Sequence, residues 1–158
     1  MDTILDIKND KRQWDEIVFE TSSNLEVRKS LVHGRGVFTT NNIVSGDVIE
    51  TFPLIPLMFK LRYIGDTQIV CNSIIHSTCP CDDCKKHGYS AYLAGGYGMF
   101  YNHQDQNNAV LHVNWDNLYA EVKASKVITP ESEIFLDYGQ NYPWSLTGVN
   151  KITLEEDQ

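Results

Sequence analysis

Nowhere does the sequence hold the roughly 18 to 20 consecutive apolar residues needed to span a bilayer, so neither a transmembrane helix nor a membrane partner is expected. Positive charge is scarce too: 13 Lys and Arg stand against 21 Asp and Glu, for a formal net charge of −8 and a pI near 5.0. A field of that sign repels polyanions, so direct nucleic-acid binding is not expected and cationic partners fit better. Cysteine is limited to four residues. Met1-Asp2-Thr3 lacks the basic and apolar regions of a secretory leader, which disfavours a disulfide framework and makes the cytoplasm the default expectation. There are no internal repeats, and from Leu25 onward no long helical period.

What remains is the composition of a folded domain: 158 residues, 42% hydrophobic, 11% aromatic and 22% charged, enough for one sizeable core and not two. Residues 1–24 read as an N-terminal arm, in which Trp14, Ile17 and Val18, with Ile7, fit a short amphipathic helix. From Leu25 short β-like runs follow one another at 25–28, 36–40 and 47–52, with Ser45-Gly46-Asp47 as a turn and Pro53 and Pro56 expected to end the third. Further runs at 110–115, 119–123 and 133–138 are separated by Asp116-Asn117 and Thr129-Pro130-Glu131-Ser132. A Cys/His-rich stretch at about 60–90 interrupts the strands as an insertion, and 145–158 form an acidic tail expected to fray.

Three separated segments carry polar and glycine residues that plain strands do not need. His33-Gly34-Arg35-Gly36 lets the backbone turn tightly and approach a ligand. Asn102-His103, after Gly95-Gly96-Tyr97-Gly98-Met99-Phe100-Tyr101, offers an amide and an imidazole that can fix a polar ligand or a chain crossing. Glu133-Ile134-Phe135-Leu136-Asp137-Tyr138-Gly139 sets a tyrosine hydroxyl at the end of an apolar strand.

Taken in order, Gly34-Arg35-Gly36-Val37-Phe38, Ser45-Gly46-Asp47-Val48-Ile49-Glu50, Tyr101-Asn102-His103 with Asn108, and Glu133-Ile134 with Asp137-Tyr138-Gly139 resemble the signature segments of the SET domain of protein lysine methyltransferases. The resemblance covers about residues 25–144 and suits the compact, stand-alone viral or microbial members, for which a host cell would be the compartment. It implies a mainly β fold of small antiparallel sheets closed by a C-terminal pseudoknot. It further implies S-adenosylmethionine held by Gly34, Arg35, Gly36, Asn102 and His103, with Tyr138 as the catalytic tyrosine. Tyr101 and Tyr97 become candidates for the wall of a lysine channel, since aromatic faces suit both an alkyl stem and a cation, or for core aromatics of a β domain. Trp144 or Tyr142 would stack on adenine or pack into the core.

The resemblance has gaps. Gln104-Asp105 stand where the family usually has serine and cysteine, the cysteine-rich segment that often follows the domain is missing, and Leu136 leaves the number of methyl groups added open. The usual turn glycine before Glu133 is replaced near Glu131-Ser132.

Cys79, Cys81 and Cys84 crowd into six residues of a chain without an export signal, a spacing that reads as structural zinc ligation with His87 as fourth ligand and Cys71 or His76 as rivals, the alternative being reduced, partly buried cysteines in a folded loop. The metal would knit an insertion poor in apolar residues, and a role in substrate choice follows from its position. The leading expectation is an enzyme that methylates a lysine-bearing, basic protein. The runner-up is a catalytically silent module that binds cofactor or a protein partner, and the third a zinc-stabilised β adaptor. Oligomeric state is not legible here.

Overall fold

The computed structural model describes residues 19, 23–60, 72–76, 81–87 and 90–139, with the backbone alone at 58, 59 and 87. The expected helix of the arm, apart from Phe19, and the tail lie outside the described residues, as do Cys71, Cys79, Tyr142 and Trp144.

Strands β1 (Leu25–Lys29) and β2 (Arg35–Thr39) form an antiparallel hairpin in which Leu25 faces Thr39. The fold turns on the next partner of β2. It is β9 (Glu133–Leu136), almost a hundred residues later, with Val37 opposite Ile134. On its other side β9 pairs in parallel with β6 (Asn102–His103), giving the sheet order β1-β2-β9-β6. Asn108 laces the crossing: its side-chain amide donates to the Glu133 carbonyl at 2.9 Å and its side-chain oxygen accepts the Phe135 N–H at 2.8 Å. This entry of the late strand between two early segments is the pseudoknot closure of the mainly β fold.

A second sheet has the order β4-β5-β3-β8-β7, built from β3 (Val48–Lys60), β4 (Ser73–His76), β5 (Ser90–Ala94), β7 (Ala109–Asn114) and β8 (Tyr119–Ala124). Period-two alternation is cleanest in β8, where Ala120, Val122 and Ala124 point inward. They meet Phe52 and Leu54 of β3 and, from the first sheet, Val37 and Ile134 in one core.

Two expectations are corrected. The prolines do not end β3. Its first half pairs with β8 as far as Pro53, and from Leu54 it pairs with β5. The Leu54 N–H reaches the Leu118 carbonyl on the β8 side. In an extended strand alternate residues aim their nitrogens the same way, so Pro56 faces that side beyond the end of β8, where no ladder donor is needed. The stretch at 60–90 is also not a plain interruption, because β4 and the start of β5 lie within it and extend the sheet, and Asp82–His87 form a single short helix, α1.

Asn108→Ala would orphan the Glu133 carbonyl and the Phe135 N–H. The expected cost is about 2–4 kcal/mol, read as a lower denaturation midpoint at unchanged slope, and an unaltered midpoint would contradict the lacing role.

Candidate active site

The parallel register that puts Asn102 opposite Phe135 and His103 opposite Leu136 brings all three polar segments together. Their contacts divide into a brace and a tyrosine seat.

The brace holds the glycine turn. The Asn102 amide nitrogen shares its two hydrogens among the His33 carbonyl at 2.9 Å, the Arg35 carbonyl at 3.1 Å and Glu133 Oε1 at 2.8 Å. The other carboxylate oxygen of Glu133 accepts the Ser30 hydroxyl at 2.8 Å, and Ser30 Oγ in turn accepts the N–H groups of Val32 and His33. Glu133 is only 9% exposed, so these bonds replace the water its carboxylate gives up. Gly36 lies directly on this carboxylate, and a Cβ there would come within 1.9 Å of Glu133 Oε1. Gly34, at φ 49°, faces open space instead. The turn is thus fixed from behind and open in front.

The seat holds Tyr138. Its hydroxyl donates to the Tyr101 carbonyl, its backbone N–H donates to His103 Nδ1 at 3.1 Å, and its ring lies 5.4 Å from that of His103. Because Nδ1 accepts, the ring proton of a neutral His103 sits on Nε2, facing Asp105 Oδ1 at 3.1 Å. Asp137 Oδ1 caps the turn by accepting the Gly139 N–H at 2.8 Å.

Gly34, Arg35, Gly36, Asn102, His103 and Tyr138 therefore gather around one junction of β2, β6 and β9. Tyr101 does so differently. Its side chain is 1% exposed, and its hydroxyl donates to Glu50 Oε2 at 2.6 Å, so the ring belongs to the core and the carbonyl is what meets Tyr138. Burial first, and then the Glu50 carboxylate, hold the Tyr101 phenol far above the usual tyrosine range. Tyr97 is partly buried against the same core.

Ser30, Glu50 and Glu133 escaped the list of candidate residues drawn from the sequence. The signal for Glu50 was its parity: it alternates with Phe52 and Leu54 on β3, so a strand packed on that face must bury a carboxylate.

In the cysteine segment, Cys81 is exposed and Cys84 buried, and the Cys84 N–H donates to Cys81 Sγ at 3.4 Å. Lys60 Nζ lies 3.3 Å from Cys84 Sγ, 3.2 Å from Ser90 Oγ and 3.6 Å from Asp83 Oδ2. Among the described residues no three metal-ligating groups cluster. Cys79 and the His87 side chain lie outside those described, and the rival ligand His76 packs its ring 4.3 Å from Trp115.

Comparison with known proteins agrees with this architecture. The SET domain family model matches residues 34–139, which holds the glycine turn, the Asn-His pair and Tyr138. The crystal structure of a candidate histone methyltransferase from Plasmodium falciparum superposes with a TM-score of 0.58 at 25% identity, covering 77% of this chain and 97% of that one. No curated protein sequence matches the chain. With two thirds of its length matched by the family model and the family's three polar segments joined at one crossing, this chain belongs to the SET-domain family.

Proposed function

We propose that this protein transfers a methyl group from S-adenosylmethionine to the side-chain nitrogen of a lysine in a basic protein substrate. The observation that carries the reading is the Tyr138 hydroxyl held on the Tyr101 carbonyl next to a glycine turn that Asn102 and Glu133 brace from behind.

The residues fit the cofactor. Gly34 leaves open space where a side chain would project, and the Asn102 amide nitrogen and the Glu133 carboxylate are already spent on the turn and on Ser30, so ligand contacts fall to the exposed backbone of Gly34 and Arg35, with the buried Gly36 behind them. His103 and Tyr138 complete the candidate set, together with Trp144 from outside the described residues. When bound, S-adenosylmethionine supplies an electrophilic methyl group on a sulfonium. The protein's own task is alignment. Lysine arrives with a reference pKa of about 10.4 and must present a neutral amine, which an apolar channel favours by penalising the ammonium form. Tyr138, its proton committed to the Tyr101 carbonyl, turns lone pairs toward the incoming amine and orients it without acting as a strong base. The net charge of −8 favours encounter with a basic, lysine-bearing partner.

Zinc at Cys79, Cys81, Cys84 and His87 is the second element of the proposal. The two described thiols fit it, since Cys81 already accepts a backbone N–H and Cys84 a lysine ammonium, the outer contacts that steady thiolate ligands.

Tyr138→Phe is expected to bind S-adenosylmethionine as the unaltered protein does and to transfer label roughly a hundredfold more slowly to a lysine-bearing basic peptide. Equal labelling by both proteins would contradict the catalytic assignment, and cofactor binding without transfer by the unaltered protein would favour the silent module. Gly36→Ala should weaken cofactor binding by about tenfold or more, because the added methyl must displace the Glu133 carboxylate that holds the turn. Calorimetry reads this, and unchanged affinity would contradict it. Elemental analysis should find one zinc per chain, lost in Cys81→Ser, and protein free of zinc would defeat the metal proposal.

A further inference from the structure

Glu50 is the most deeply buried charged side chain among the described residues, 1% exposed on a strand that otherwise turns Ile49, Phe52 and Leu54 into the core. A carboxylate taken out of water needs compensation, and here two donors come from one short segment. Oε1 accepts the Tyr97 N–H at 2.8 Å and Oε2 accepts the Tyr101 hydroxyl at 2.6 Å. From Gly95 to Phe100 the chain makes two tight turns, closed by Gly98 N–H on the Gly95 carbonyl and Phe100 N–H on the Tyr97 carbonyl, both at 2.9 Å. Gly96 adopts φ 55°, and a Cβ there would stand 2.2 Å from Glu50 Oε1. The segment 96–101 is therefore wrapped directly on the carboxylate and pinned to it at both ends.

What leaves this clamp is the functional point. The next group along the chain is the Tyr101 carbonyl, acceptor for the Tyr138 hydroxyl, followed at once by Asn102 and His103. Glu50 itself is locked by its strand, paired opposite Val122 of β8. A fixed strand thus sets where the Tyr101 carbonyl lies, and that carbonyl sets the direction of the tyrosine hydroxyl.

We propose that Glu50 and the Tyr101 phenol are positioning residues for the transfer reaction, acting through the Tyr101 carbonyl on Tyr138 without touching cofactor or substrate. The inference rests on the lysine-methylation reading for its kinetic consequence. Its geometric content stands apart from that reading, because the orientation of Tyr138 can be observed without turnover.

Tyr101→Phe removes one oxygen and keeps the ring, and Glu50→Gln keeps the shape and an acceptor for Tyr97 while removing the charge. Both are made in the full chain, checked for a native circular dichroism spectrum, and compared with the unaltered protein for kcat, for S-adenosylmethionine affinity, and for the ring-carbon resonance of Tyr138 in protein labelled with carbon-13 tyrosine. Tyr101→Phe is expected to lower kcat by about tenfold with cofactor affinity within about twofold, to shift the Tyr138 resonance, and to cause no further loss when Tyr138 is already phenylalanine. Glu50→Gln should fall between it and the unaltered protein, and it carries the test if Tyr101→Phe does not fold. An unshifted Tyr138 resonance with unchanged kcat would overturn the proposal, as would the same fractional loss in the Tyr138→Phe background, which marks a merely structural effect. If the unaltered protein transfers no methyl at all, the functional reading fails, and the Tyr138 resonance alone decides the positioning claim.

Discussion

The parallel pairing of β6 with β9 is the contact on which the rest of the molecule depends. It is only two residues long, Asn102 opposite Phe135 and His103 opposite Leu136, and a ladder that short supplies little energy by itself. Its strength comes from the groups around it. Asn108 bonds the backbone of β9 on both sides of Ile134, and Gln104 and Asn108 add backbone bonds to Leu136 and Phe135. Because β9 also pairs with β2, this one crossing joins the glycine turn, the Asn-His pair and Tyr138 without a domain interface or a long loop. Sequence separation of more than a hundred residues between Gly34 and Tyr138 disappears at this point.

Two buried carboxylates do related work on opposite sides of the junction. Glu133 collects Asn102 and Ser30 and thereby holds the turn at Gly34–Gly36, while Glu50 collects Tyr97 and Tyr101 and thereby holds the approach to β6. Apolar residues at these positions would spare the desolvation cost, but they would leave the bonded N–H and hydroxyl groups without acceptors. Among the described residues every buried side-chain polar atom has a partner. A fully satisfied network of this kind constrains geometry more sharply than apolar packing, since a hydrogen bond fixes direction as well as distance. It leaves the front of the glycine turn open while its back is rigid.

Much of this was legible in the sequence where the signal is local. Alternating residues and turn formers marked β1, β2, β7, β8 and β9 to within a residue or two, because inward parity and turn chemistry are written within a few positions. The continuation of β3 past Pro53 and Pro56 was not legible, since the cost of a missing N–H depends on which strand lies on each side, and that is a property of the assembled sheet. The absent glycine before Glu133 has a similar explanation: Glu131 itself takes the left-handed conformation at φ 67°, and its carboxylate pairs with Arg28 across the sheet. The motif alone leaves the Tyr101 ring between a channel wall and the core. The buried Glu50, some fifty residues earlier, holds the ring inward and leaves the carbonyl to face Tyr138.

The central claim is that the glycine turn, the Asn-His pair and the late tyrosine form one ligand-binding surface. Titrating nitrogen-15-labelled protein with S-adenosylhomocysteine, the demethylated form of the cofactor, tests it most directly. The account predicts that the backbone amides of Gly34, Arg35, Gly36, Asn102, His103 and Tyr138 shift together along a single saturable curve. Shifts confined to one of these segments, or none at saturating ligand, would contradict it.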